Sequence, residues 1–161
     1  MNDEPFAFFI TWSVYGTFLQ GDHRGWRKWK AGTQLPQPQL AQWRAERLNQ
    51  PILLLDDDQR HCVEREITRL CVFRNWKLWA VSCRTNHLHV VVHADGHRGS
   101  KVRDQLKANC TRVLRERWSQ FRDRSIWTEG GDWQCINSEN DLEQVILYVL
   151  EAQDRKGLDA Q

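Results

Sequence analysis

Asn86-His87-Leu88-His89-Val90-Val91-Val92 is the stretch on which the fold turns. Side chains alternate across a β-strand. The run therefore predicts a strand over 87–93 with His87 and His89 on one face and Leu88 and Val90 on the other. Two neutral imidazoles side by side on a rigid strand make a ready pair of metal ligands. A pair hydrogen-bonded inside a core is the structural alternative. His93 falls in phase with them, but four residues beyond His89 at ~3.3 Å per residue is roughly 13 Å. That distance makes it a structural histidine rather than a third ligand.

Outward from this strand, Arg84-Thr85-Asn86 is a short turn and Trp76–Cys83 a preceding strand, so the two form a hairpin. Asp56-Asp57-Asp58 supplies an N-cap and an acidic first turn. Val63, Ile67, Leu70 and Cys71 follow at helical spacing, which predicts a helix over Asp57–Phe73. Phe6–Val14 is aromatic and β-branched between Pro5 and Gly16, a strand pattern. Beyond Gly96–Gly99, Ser100 opens a long helix with Val102, Leu106, Cys110, Val113 and Leu114 as its stripe, ending near Phe121. Ser125–Thr128 and Trp133–Ile136 read as short strands around Glu129-Gly130-Gly131-Asp132. Asn137 or Ser138 caps a last helix carrying Leu142, Val145, Ile146, Val149 and Leu150. Gly16–Gly32 reads as a loop, Gln34–Gln39 as a connector, and Leu40–Leu48 as a helix that Pro51 ends.

The order is strand, helix, strand, strand, helix, strand, with an added C-terminal helix. It predicts an α+β fold: a ferredoxin-like split βαβ sheet with helices on one face, in a single domain spanning 1–161. Apolar residues at 40% and charged residues at 27% describe a globular chain. No run approaches the ~20 apolar residues of a membrane span. The acidic start Met1-Asn2-Asp3-Glu4-Pro5 is unlike a signal peptide. Five scattered cysteines without a CxxC pair suggest neither a zinc knuckle nor a disulfide framework, and a reducing cytoplasm is expected.

The net charge of +2 hides a strong division. Arg98–Arg124 holds nine Lys/Arg against three Asp/Glu, whereas Ser125–Gln161 holds two against eight. Positive charge concentrated on one helix suggests a polyanionic partner, with a solvated amphipathic face as the plain alternative. Several of the nine tryptophans, Trp26, Trp29 and Trp43 among them, sit beside Arg, Lys and Gln, where rings can stack on bases. The chain has two tyrosines, Tyr15 at the end of the first strand and Tyr148 within the last helix. A phenol can attack phosphorus when a metal polarises the phosphate. A core or interface ring is the structural reading of Tyr148.

His87-Leu88-His89 on a central strand, with one tyrosine on a C-terminal helix, resembles the single-tyrosine HUH transposases, and most of all their REP-associated tyrosine transposases. The opening Thr11–Trp26, the segment Ile126-Trp127-Thr128-Glu129-Gly130-Gly131, and Tyr148-Val149-Leu150-Glu151-Ala152-Gln153 are similar to landmarks of that group in the same order. The resemblance implies that His87 and His89 bind Mg²⁺ or Mn²⁺ and that Tyr148 forms a 5′-phosphotyrosine link on single-stranded, hairpin-associated DNA. It also implies a polar third ligand about one turn after the tyrosine, where this chain has Ala152. On an ideal helix Glu151 lies about 60° from Tyr148 and Gln153 about 140°. Geometry favours Glu151 and residue type favours Gln153, which a bulged last turn would bring round. Lys101, Arg103, Lys107, Thr111, Arg112 and Arg115 of the basic helix would hold phosphates. Arg24 and Trp26 in the N-terminal loop would meet bases. The tyrosine helix could serve its own chain or a partner's, so a monomer and a homodimer both fit. A domesticated hairpin-binding relative with impaired catalysis is the alternative function.

Overall fold

The computed structural model describes residues 4–17, 26–28, 32–34 and 50–152, with the backbone alone for 26–28, 32–34 and 152. The predicted helix over Leu40–Leu48 lies outside the described residues.

The main sheet has strands β1 (Ala7–Ser13), β4 (Lys77–Cys83), β5 (His87–His93) and β6 (Asp132–Ile136) in the order β4-β5-β1-β6. Every neighbouring pair is antiparallel. Helices α1 (Asp57–Arg74) and α2 (Gly99–Arg117) connect the strands, and α3 (Glu139–Leu147) follows the last of them. A capping box starts α1: Gln59 N–H donates to Asp56 Oδ1 at 2.8 Å, and Asp56 N–H to Gln59 Oε1 at 2.9 Å. Asn75, left-handed at φ 60°, ends it.

Alternation along the strands divides the interior in two. The β1–β5 register pairs Phe8 with Val92, Ile10 with Val90 and Trp12 with Leu88. These six side chains meet Val63, Ile67 and Leu70 of α1 and Val102, Leu106, Cys110 and Leu114 of α2 in the main core. The intervening pairs are Phe9–Val91, Thr11–His89 and Ser13–His87. On their face a smaller cluster joins Ala7, Phe9, Ala80, Val91 and Ile136 to Val145 and Val149 at the C-terminal helix. That helix therefore covers the sheet face opposite α1 and α2.

Four expectations change. Part of the stretch read as a loop is strand: β2 (Trp26–Lys28) pairs antiparallel with β3 (Gly32–Gln34). Its glycines and charges masked the β-propensity of Trp26 and Thr33. The long helix stops at Arg117 because Trp118 is extended (φ −129°, ψ 114°), and a separate 3₁₀ turn holds Ser119–Phe121. Ser125–Thr128 contributes one bridge, Trp127 to Val14, rather than a strand. The next residues explain it, since Gly130 (φ 77°) and Gly131 (φ 126°) break the extended geometry. The last helix widens at its end into a π-turn, Tyr148–Ala152.

Candidate active site

His87 and His89 stand two residues apart on β5, so both project from the face that α3 covers, with ring centroids 5.0 Å apart. Ser138 caps α3 by accepting from Asp141 N–H at 3.1 Å. From that start, buried Val145 and Val149 fix the helix rotation and place Tyr148 above the sheet. The Tyr148 ring centroid lies 5.8 Å from that of His89 at an interplanar angle of 74°. Phe9 stacks on His89 at 5.4 Å and meets Tyr148 edge-on at 6.1 Å. One chain thus brings together the imidazole pair and the phenol.

Both imidazoles are oriented through Nδ1. His87 Nδ1 lies 2.6 Å from Asn86 Oδ1. An amide oxygen only accepts, so this nitrogen is the donor. His89 Nδ1 lies 3.0 Å from the Thr11 hydroxyl. Metal-ligating histidines are usually held this way, one nitrogen on a polar partner and the other for the metal. The donor set therefore fits a divalent ion. Sequence reasoning did not identify Thr11 as a partner. Its signal was a lone hydroxyl in phase with Phe9 on a strand otherwise apolar through Trp12.

Glu151 is exposed on the π-turn, and Gln153 and Arg24 lie outside the described residues, as does the side chain of Trp26. Among the described residues, the His, Cys and carboxylate groups whose ligand atoms gather within 4.8 Å are Glu4, His93 and Asp95, at the far end of β5. There His93 Nδ1 donates to Phe6 O at 3.1 Å. A hydrogen bond with Asp95 raises the exposed Glu4 carboxyl above its ordinary value.

Helix α2 lies behind the sheet, away from the imidazoles. Arg103, Lys107, Thr111 and Arg115 recur every four residues and form one stripe. The stripe binds the connection that leads to β6. Arg103 Nη1 donates to Gly131 O at 3.0 Å, and Lys107 Nζ to Thr128 O at 3.0 Å and Gly130 O at 2.6 Å. Thr111 Oγ1 accepts from Trp127 Nε1 at 3.0 Å, and Arg115 donates to Phe121 O and Arg124 O. Arg112 pairs with Glu116 and, at 3.4 Å, with the buried Glu66. Lys101 is exposed on the outer surface of the helix.

No family model matches the sequence, and a search of curated proteins gives no match. Among solved structures the chain is similar to a REP-associated tyrosine transposase bound to a REP hairpin, with a TM-score of 0.55 and 11% identity. The likeness covers 98% of this chain and 72% of that one. At this identity it shows a related α+β fold. Among the described residues, no helix is long and apolar enough to cross a membrane.

Proposed function

We propose that this chain is a metal-dependent tyrosine DNA strand transferase acting on single-stranded, hairpin-associated DNA. The observation that carries the reading is the meeting of His87, His89 and Tyr148 on one sheet face, with the phenol and His89 ring centroids 5.8 Å apart. The strand order β4-β5-β1-β6 supports the ferredoxin-like split βαβ arrangement. The fold neighbour is a transposase bound to a DNA hairpin, which favours the same substrate class here.

In this reading His87 and His89 would hold Mg²⁺ or Mn²⁺, with Asn86 and Thr11 orienting the rings. A bound ion would supply polarisation of the scissile phosphate. The Tyr148 phenol oxygen forms a bond to phosphorus as the P–O3′ bond breaks. The protein retains the 5′-phosphate and a 3′-hydroxyl is released. Attack by another 3′-hydroxyl reverses the step and restores the phenol, so joining uses no water or external energy source. Because the tyrosine comes from the same chain as the imidazoles, a monomer suffices. The widened turn at Tyr148–Ala152 supports Gln153 as third ligand, since i→i+5 bonding brings the residue five places on towards the face of Tyr148.

Incubation with labelled single-stranded hairpins and Mn²⁺, followed by denaturing electrophoresis, tests the proposal. Wild-type protein gives a covalent adduct and Tyr148→Phe gives none. Equal adduct from both proteins refutes the assignment. Exposed Glu151 and the Ala152 position motivate a second reading, a hairpin-binding protein of the same fold with impaired catalysis. Hairpin binding that survives His87→Ala, with no adduct from intact protein under any divalent metal, selects that reading.

A further inference from the structure

We infer that Lys107, assisted by Arg103, is a positioning residue for the imidazole pair: it fixes the Thr128–Gly131 turn, and through it the end of the β1–β6 ladder at Thr11, whose hydroxyl holds His89. The inference rests on the proposed function for its chemical meaning.

Thr11 occupies a junction. Its partner on one side is His89 and on the other Asp132, and the Thr11–Asp132 pair is the last of the β1–β6 ladder. Ladder ends fray unless the chain beyond them is held. Here the chain beyond is Gly131, at φ 126°. A Cβ on it would lie 2.9 Å from Thr11 O and 3.1 Å from Arg103 Cδ, so turn, strand and helix are in direct contact. The turn is tied from two sides. Thr128 N–H donates to Ser13 O at 2.9 Å, while Lys107 and Arg103 take the carbonyls of Thr128, Gly130 and Gly131. Burial lowers the Lys107 pKa, with neighbouring Arg103 adding to the effect. The cost of withdrawing this ammonium from water is offset by the carbonyls it meets, Thr128 O and Gly130 O, while Arg103 holds Gly131 O at the end of the turn.

The test uses the full chain with Lys107→Met, which keeps the stem and loses the donors, and Lys107→Arg, which restores donors. Asn109→Ala, whose amide bonds within α2, is the control. Two quantities are read: the ring-nitrogen resonances of His89 in metal-free protein, by long-range ¹H–¹⁵N correlation, and Mn²⁺ affinity by calorimetry. Lys107→Met shifts the His89 resonances and weakens Mn²⁺ binding about tenfold, the lower end for loss of an outer-shell support. Lys107→Arg and the control match wild type. A folded Lys107→Met protein with wild-type resonances and affinity overturns the inference. If that variant does not fold, Arg103→Met carries the same test through Gly131. Should the wild type bind no Mn²⁺ while the His89 resonances still move in Lys107→Met, the positioning role stands and the metal-dependent function falls.

Discussion

The smaller core implies that the tyrosine helix undocks separately from the rest of the fold, and two substitutions test this. Val145 is fully buried in the cluster that holds α3, while Leu106 is fully buried in the main core beneath α1 and α2. The docked helix keeps Leu147 and Leu150 about half exposed, so its hold on the sheet is modest. Val145→Ala removes two methyl groups, ~1.6 kcal/mol at ~0.8 kcal/mol per carbon, and the cavity brings the cost to about 2 kcal/mol. That equals roughly a 30-fold shift in any opening that exposes position 145. Leu106→Ala costs about 3 kcal/mol by the same reasoning, roughly 150-fold, but only in openings that disrupt the main core. Native-state hydrogen exchange separates the two. Amides of Ile146 and Leu147 lose about 30-fold protection in Val145→Ala and keep wild-type protection in Leu106→Ala. Amides of Ile67 and Leu70 in α1, which open with the whole fold, lose protection in both. If Leu106→Ala lowers protection in α3 as much as in α1, helix and core form one cooperative unit and the reasoning fails. The equilibrium sets the fraction of molecules with Tyr148 beside His89, the pair on which the proposed reaction depends.

Four further outcomes follow from local geometry. A Cβ at Gly99 would lie 2.6 Å from Trp133 Cδ2, so Gly99→Ala costs about 1–3 kcal/mol, seen as roughly 2–4 °C of melting temperature per kcal/mol; an unchanged melting temperature would show that the ring moves aside freely. Asp56→Ala removes the cap of α1 and lowers stability by about 1 kcal/mol in urea titration, whereas Asp56→Asn keeps most of it. Of the five thiols, exposed Cys135 reacts with a disulfide reagent at pH 8 in the native protein, while the four buried ones wait for unfolding. Burial pushes the Cys71 thiol up to about 11 and those of Cys83 and Cys110 up as well. The unfolded chain loses these protons near pH 9 while the folded chain keeps them, so this stabilisation is complete below pH 9 and declines as pH rises towards 11. A urea midpoint no lower at pH 10.5 than at pH 8 contradicts that sign.

The parts of the molecule legible in the sequence are those where a single period or cap decides. Alternation over 87–93 sorts Leu88 and Val90 from His87 and His89, because an antiparallel strand with both faces covered admits one register. The capping box at Asp56 is equally local, since the groups that satisfy one another are three residues apart. The end of the last helix was legible only as two alternatives, an ideal turn or a bulged one, because the same residues fit both; the structure has the wider turn, Tyr148–Ala152. Thr11 was visible as a hydroxyl among apolar residues, but its partner lies 78 positions away.

The basic helix is the instructive case. Nine cations between Arg98 and Arg124 read as a surface for phosphates, yet Arg103, Lys107 and Arg115 are turned onto main-chain carbonyls of the connection to β6. A carbonyl oxygen and a phosphate oxygen ask the same of an ammonium or guanidinium: a short, charge-assisted hydrogen bond. Composition therefore cannot separate a helix that grips its own backbone from one that grips DNA. The separation comes from topology, because α2 lies on the sheet face away from the imidazoles. In the proposed reaction a DNA strand at Tyr148 meets α2 only by rounding the edge of the sheet. Arg103 and Lys107 hold the turn that leads to the Thr11 end of the β1–β6 ladder, so part of the charge on α2 is engaged within the fold.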